Sequence, residues 1–382
     1  MKRVVVCLVT IVLGMLLCNT TVYAQETAIS YDETLTSLFE ESGIEDLISE
    51  QIPENVFDTQ GFNIKDPQAM SSFSFQNVFS SLMQKATDAA EMPLRIFGLM
   101  LGVILISAIA QSMLSSRESV KAIYDMICVL CAVGVIANPI SNVIQMTAER
   151  LEAGAGFMLS FSVIFASILT VCGGFTTAVG YQTAILGACE IAMQVAVHIM
   201  LPVLSMGLAL SIVDAVNPMI SLDGIVKLLH KGTVWLLGLL MSLFLGILSL
   251  QSMAGVASDK LASKTTKFVI SNFIPFIGGA VSDAYATVMG SMGVLKTTTG
   301  MIGIVSVLSI FLPILLELVI FRFLTAASGA IAELFAVERL TRLLKSMERI
   351  LAATFSVAVS FSVIFIVSTA ILLLVCGNLI SA

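Results

Sequence analysis

The chain has 382 residues, of which 57% are hydrophobic and only 12% charged, with a mean hydropathy of +1.00 and a net charge of −7. Soluble domains average roughly 45–50% apolar and about 25% charged residues, so this composition argues against a soluble enzyme. With one Trp, Trp235, and two His, His198 and His230, there is almost no material for His-based triads or metal sets.

Residues 1–24 read as a signal peptide: Lys2 and Arg3, an apolar core from Val4 to Leu17, then Val22-Tyr23-Ala24 as the cleavage site before Gln25. Cleavage there starts the mature chain outside the cytoplasm; an uncleaved signal anchor is the competing reading. Residues 25–93 form an acidic extracytoplasmic segment with 13 acids against two bases, Lys65 and Lys85, a net of −11. Residues 94–382 carry 15 bases and 13 acids. Leu35, Leu38, Phe39, Leu47 and Ile48 recur at helical spacing among the acids, which suits a solvated cap or a surface for a basic or helical partner.

From residue 94 onward one apolar stretch follows another, several of them about 20 residues long, the length a helix needs to cross ~30 Å of hydrocarbon. The fold class is therefore all-α: a polytopic helical membrane protein with about seven to eight spans, broken or re-entrant segments and amphipathic linker helices. Candidate spans are 96–115, 122–138, 157–173, 182–214 with a break at Pro202, 232–252, 301–323 and 352–378, with 324–337 as a half-helix. Together they make residues 94–382 a multi-span membrane domain. The stretch 268–293 is apolar but interrupted by Pro275, Gly278 and Gly279, with Asp283 just beyond. Irregular backbone at membrane depth survives only when buried in protein or lining a wet cavity, so this reads as a broken or re-entrant segment.

An internal repeat is visible. Asn138-Pro139-Ile140-Ser141 and Asn217-Pro218-Met219-Ile220-Ser221 each follow an apolar span and precede an amphipathic stretch. The pentapeptide Phe161-Ser162-Val163-Ile164-Phe165 returns as Phe361-Ser362-Val363-Ile364-Phe365. Before the second copy, helix 333–351 sets Val337, Leu340, Leu344, Met347 and Leu351 on one side and Arg339, Arg342, Lys345 and Arg349 on the other. That pattern predicts a helix lying along a membrane surface, on the cytoplasmic side by its basic charge.

Ionisable groups inside apolar spans need a partner or water. Glu190, Gln194 and His198 fall at i, i+4 and i+8, on one face of one helix, and are the candidate intramembrane polar face or hydrated lining. Glu317 and Arg322 are candidate buried charges that pair across helices or sit at a boundary, and Asp125 and Asp214 lie near span ends. The competing reading for all of these is helix-to-helix hydrogen bonding without transport. Cys128 and Cys131 have CxxC spacing but apolar flanks and no second ligand pair, which reads as lipid- or helix-facing thiols. No phosphate-binding loop, dinucleotide fingerprint or basic-aromatic stripe occurs, so no cofactor, metal or nucleic-acid partner and no catalytic residue is expected.

The signal sequence ending Val22-Tyr23-Ala24, the acidic segment, the Asn-Pro breaks, Phe273-Ile274-Pro275-Phe276-Ile277-Gly278-Gly279 with Ser282-Asp283-Ala284, and the basic helix from Glu338-Arg339 to Glu348-Arg349 occur in an order that resembles the stage III sporulation protein AE family. The resemblance covers nearly the whole chain. It implies a non-enzymatic membrane subunit, an export-gate-like core or platform, of the channel that links mother cell and forespore. It also implies a place in the outer forespore membrane, with sister membrane proteins of the same operon and a forespore-side partner. A homo-oligomer remains open. A stand-alone secondary transporter using the Glu190 face is the alternative.

Overall fold

The computed structural model describes residues 75–113, 118–171, 175–217, 222–273 and 278–380. The signal peptide, the acidic segment up to residue 74 and Pro275 lie outside these residues. A chain in hydrocarbon must satisfy its own backbone hydrogen bonds, and every described element is a helix. They are α1 (Phe75–Met113), α2 (Glu118–Val171), α3 (Phe175–Val195), α4 (Leu201–Val216), α5 (Asp223–Phe273), α6 (Gly278–Leu334) and α7 (Glu338–Ile380).

Among the described residues six stretches are long and apolar enough to cross a membrane: Ala90–Met113, Ile123–Ser167, Ala178–Val216, Asp223–Leu250, Ser306–Leu334 and Glu338–Ile371. The sequence pattern suggests seven to eight because it separates 122–138 from 157–173. In the structure Pro139 lies inside α2, an unbroken helix of 54 residues in all, so the first Asn-Pro is not a helix break. The second is: α4 stops at Val216, with Asn217 in an extended conformation at its end. The expected half-helix 324–337 is largely the continuation of 301–323 in α6, with Pro313 inside. In the same way α1 runs through Pro93, across the boundary expected between the acidic segment and the membrane domain.

The break expected at Pro202 takes a gentler form. A proline ring collides with the carbonyl four residues back, here His198, and supplies no N–H to it. The helix answers with a π-turn over Ala196–Met200, in which the Leu201 N–H reaches the Ala196 carbonyl, and α4 follows directly. The bond that Pro202 cannot donate is lost, and Leu201 N–H keeps an acceptor one residue further back than in an α-turn.

The largest departure from expectation concerns the basic helix. Its apolar stripe, Val337, Leu340, Leu344, Met347 and Leu351, is fully buried, and so are Thr341, Leu343, Ser346 and Ile350. The segment is therefore no separate surface helix. It is the first third of α7, which packs against α6 along its length and also against α5, α2 and α4. The stripe faces protein instead of lipid, and the basic side chains emerge at the edges of the contact. The turn into α7 is closed by Val337 N–H to Ala332 O and Ala336 N–H to Glu333 O, with Ala336 at φ 55° in the left-handed position where glycine is usual.

Antiparallel α6 and α7 are aligned by successive contacts: Gly300 on Leu373, Phe311 on Phe365, Arg322 with Glu348, and Glu333 with Lys345. The core is aromatic. The two copies of the repeated pentapeptide lie on α2 and α7, and both face α6. Phe161 and Phe165 of one and Phe361 and Phe365 of the other are buried, as are Ser162 and Ser362. Phe161 lies over Gly303, and Phe311 and Phe365 lie over Gly154, where an added Cβ would come within 2.6 Å of Phe311 and 3.0 Å of Phe365. These glycines are sites of ring-to-backbone approach, the small-residue packing of membrane helices. Gly154→Leu is expected to cost about 1–3 kcal/mol by overpacking, seen as a lower unfolding temperature in detergent. Gly238→Leu, where nothing lies within 4 Å of an added Cβ, should leave that temperature nearly unchanged.

Candidate functional site

Where α5 begins, the polar groups of several helices meet. Asp223 is the first residue of α5, a position where a carboxylate suits the positive end of the helix dipole. Its Oδ1 accepts from Arg349 Nη2 of α7 at 2.6 Å, and its Oδ2 pairs with Lys227 Nζ one turn along α5 at 2.5 Å. The same Arg349 Nη2 donates to Ser346 Oγ at 2.7 Å. Asp223 and Arg349 remain only 34% and 27% exposed, so each charge depends on the other. Next to Arg349, Glu348 meets Arg322 of α6 at 3.4 Å. Two buried nitrogens in this layer, Arg349 Nε and His230 Nδ1, have no hydrogen-bond partner in the structure. His230 stands on α5 within electrostatic reach of both Arg349 and Arg322.

The connection leading into the layer is held from α4. Asp214 Oδ1 accepts the backbone N–H of Leu222 at 2.5 Å, which links the last turn of α4 to the residue before α5. On the α2 side, Arg150 acts electrostatically on Glu317 of α6. The result is a set of opposite charges joining α5 and α6 to α7, with α4 tying its edge. It crosslinks helices; among the described residues no three of His, Cys, Asp and Glu gather as a metal set.

Several sequence candidates fall elsewhere. Glu317 and Arg322 do not pair with each other: Arg322 meets Glu348 of α7. Glu190, Gln194 and His198 do share one face, and Gln194 Nε2 donates to Glu190 Oε1 at 2.9 Å. All three are exposed in the single chain, Glu190 and Gln194 on α3 and His198 in the π-turn that follows it. Gly278, Gly279 and Asp283 lie in the opening turns of α6, and the rest of the expected broken segment, residues 274–277 with Pro275, lies outside the described residues. Asp125 takes a hydrogen bond from Gln111 at 3.1 Å, which ties α1 to α2. Cys128 is buried and Cys131 exposed, one thiol toward the helices and one away from them. Sequence reasoning missed Asp223 and His230. The signal for Asp223 was available, an acid a few residues after an Asn-Pro pair and ahead of an apolar run, but its partner lies 126 residues away.

The family model for stage III sporulation protein AE matches residues 64–376. Among curated proteins, stage III sporulation protein AE of Bacillus subtilis (strain 168) is 26% identical over 167 residues. That alignment covers 44% of this chain and 42% of the relative, less than half of either. No solved structure matches.

A double-mutant cycle on Asp223→Asn and Arg349→Gln, read by thermal unfolding in detergent, is expected to give a coupling of about 1–2 kcal/mol. That lies above the ~0.2–1 of exposed pairs and below the ~3–5 of stripping a fully buried charge of its partner. A coupling near zero would mean that the pair does not hold α5 to α7.

Proposed function

The chain belongs to the stage III sporulation protein AE family, and on that premise we propose that it is a non-enzymatic membrane subunit of the multiprotein channel joining mother cell and forespore. It acts there as an export-gate-like core or platform, from the outer forespore membrane, with its N-terminal segment on the extracytoplasmic side. Its partners are the sister membrane proteins of the same operon and a forespore-side protein. One observation carries this reading: the family match runs from before α1 to within four residues of the end of α7. Whatever the family does is therefore done with these membrane helices. The charged layer suits a scaffold, because its groups pair with one another across helices. A secondary transporter would use the Glu190 face, which in the single chain is exposed rather than enclosed between its own helices.

Purification of the tagged full-length chain from membranes of sporulating cells is expected to recover the other channel components, and deletion to arrest spore development after engulfment. Recovery of the chain alone in a stable, homogeneous form, with normal spores from the deletion strain, would overturn the channel reading.

A further inference from the structure

Along the outer side of α3 and the π-turn that follows it, a line of polar side chains faces away from the rest of the described bundle within a candidate span. Thr183, Gly187, Glu190, Ile191, Gln194 and His198 are all exposed, while Ala178, Ala184, Cys189, Ala192 and Ala196 on the opposite side are buried. A charged or amide group left against lipid is costly, ~2.5–3.5 kcal/mol for an acid at the centre of a span. The line therefore requires a cover that can return hydrogen bonds, which lipid chains cannot do.

We propose that this face is the contact between two copies of this chain, related by a two-fold axis along the membrane normal. The polar set is self-complementary. Gln194 spends one amide N–H on Glu190 and retains a second N–H and a carbonyl oxygen, so two Gln194 side chains across the axis satisfy each other. His198 likewise offers a donor and an acceptor. Angular position separates the like charges. At 3.6 residues per turn, Gly187 and Gln194 lie within about 20° of each other, with Glu190 about 60° to one side. A two-fold axis sends the two Glu190 carboxylates to opposite flanks of the seam and brings Gly187 and Gln194 to its centre. Gly187 permits close approach: nothing in the chain lies within 4 Å of a Cβ added there. Small residues of this kind, with an amide nearby, are how membrane helices associate when no hydrophobic force separates protein from lipid. The π-turn at Ala196–Met200 contributes by accommodating Pro202 while His198 stays on the exposed face.

The test uses the full-length chain in its native membrane. Gly187→Cys, treated with a mild oxidant, should give a reducible band at twice the monomer mass, well above that of the parent chain with its own seven cysteines. Leu239→Cys, on the exposed side of α5, should stay at the parental background. Adding Gln194→Leu to Gly187→Cys should lower the dimer yield about fivefold, the equivalent of ~1 kcal/mol of interhelical hydrogen bonding. If Gly187→Cys does not reach parental levels in the membrane, Ile191→Cys on the same face replaces it. Parental background from the cysteine on α3, equal yields from α3 and α5, or crosslinks only to a different polypeptide would each overturn the proposal.

Discussion

A charge inside a helical membrane bundle has to be met by another charge or by water, and in this chain that constraint falls on α7. The helix combines an apolar stripe, buried on all sides, with basic residues too close to the stripe to escape it entirely. Arg349 is the clearest case. Its part-buried guanidinium is met by Asp223, which opens α5, while Glu348 on the preceding position takes Arg322. The geometry of the α4–α5 connection follows from this, since Asp214 must hold Leu222 in place for α5 to start where Arg349 needs it.

On one side of the charged layer the packing is governed by shape. Phenylalanines from α2, α6 and α7 meet in stacked, tilted and edge-on pairs with centroid separations of 5.5–6.2 Å, and glycines open the backbone beneath them. The repeated pentapeptide contributes equivalent rings from two helices that flank α6, so a short sequence identity corresponds to a shared packing role. Charge fixes which helices meet near the layer, and ring-on-glycine contact fixes how closely they meet beyond it.

Much of this was legible in the sequence. Length and hydropathy suffice for an all-α membrane protein, because the hydrocarbon leaves few other solutions for ~20-residue apolar runs. The proline positions were visible too, but their effects were not. Pro139 and Pro313 are carried within long helices, Pro202 produces a π-turn, and Pro218 follows the end of α4. One residue type yields these outcomes because neighbouring helices decide whether a lost backbone bond can be borne. The same limit explains the basic helix. Amphipathic spacing identifies a stripe that must be buried and cannot say whether lipid or protein buries it. Asp223 and Arg349 illustrate the remainder, since a pair separated by 126 residues has no local signature.

The central claim is that the basic start of α7 is packed inside the bundle against α6. A Cβ placed on Gly329 lies 3.6 Å from the Leu344 Cβ, within the ~3.5–4.5 Å that a disulfide spans. The double variant Gly329→Cys/Leu344→Cys, in the full chain and in membranes, should therefore form an intramolecular disulfide, identified by mass spectrometry of the linked peptides. Formation of that bond in most of the protein is the predicted result. Two free thiols that oxidise only to other chains or to added reagent would place the helix on the membrane surface and contradict the account.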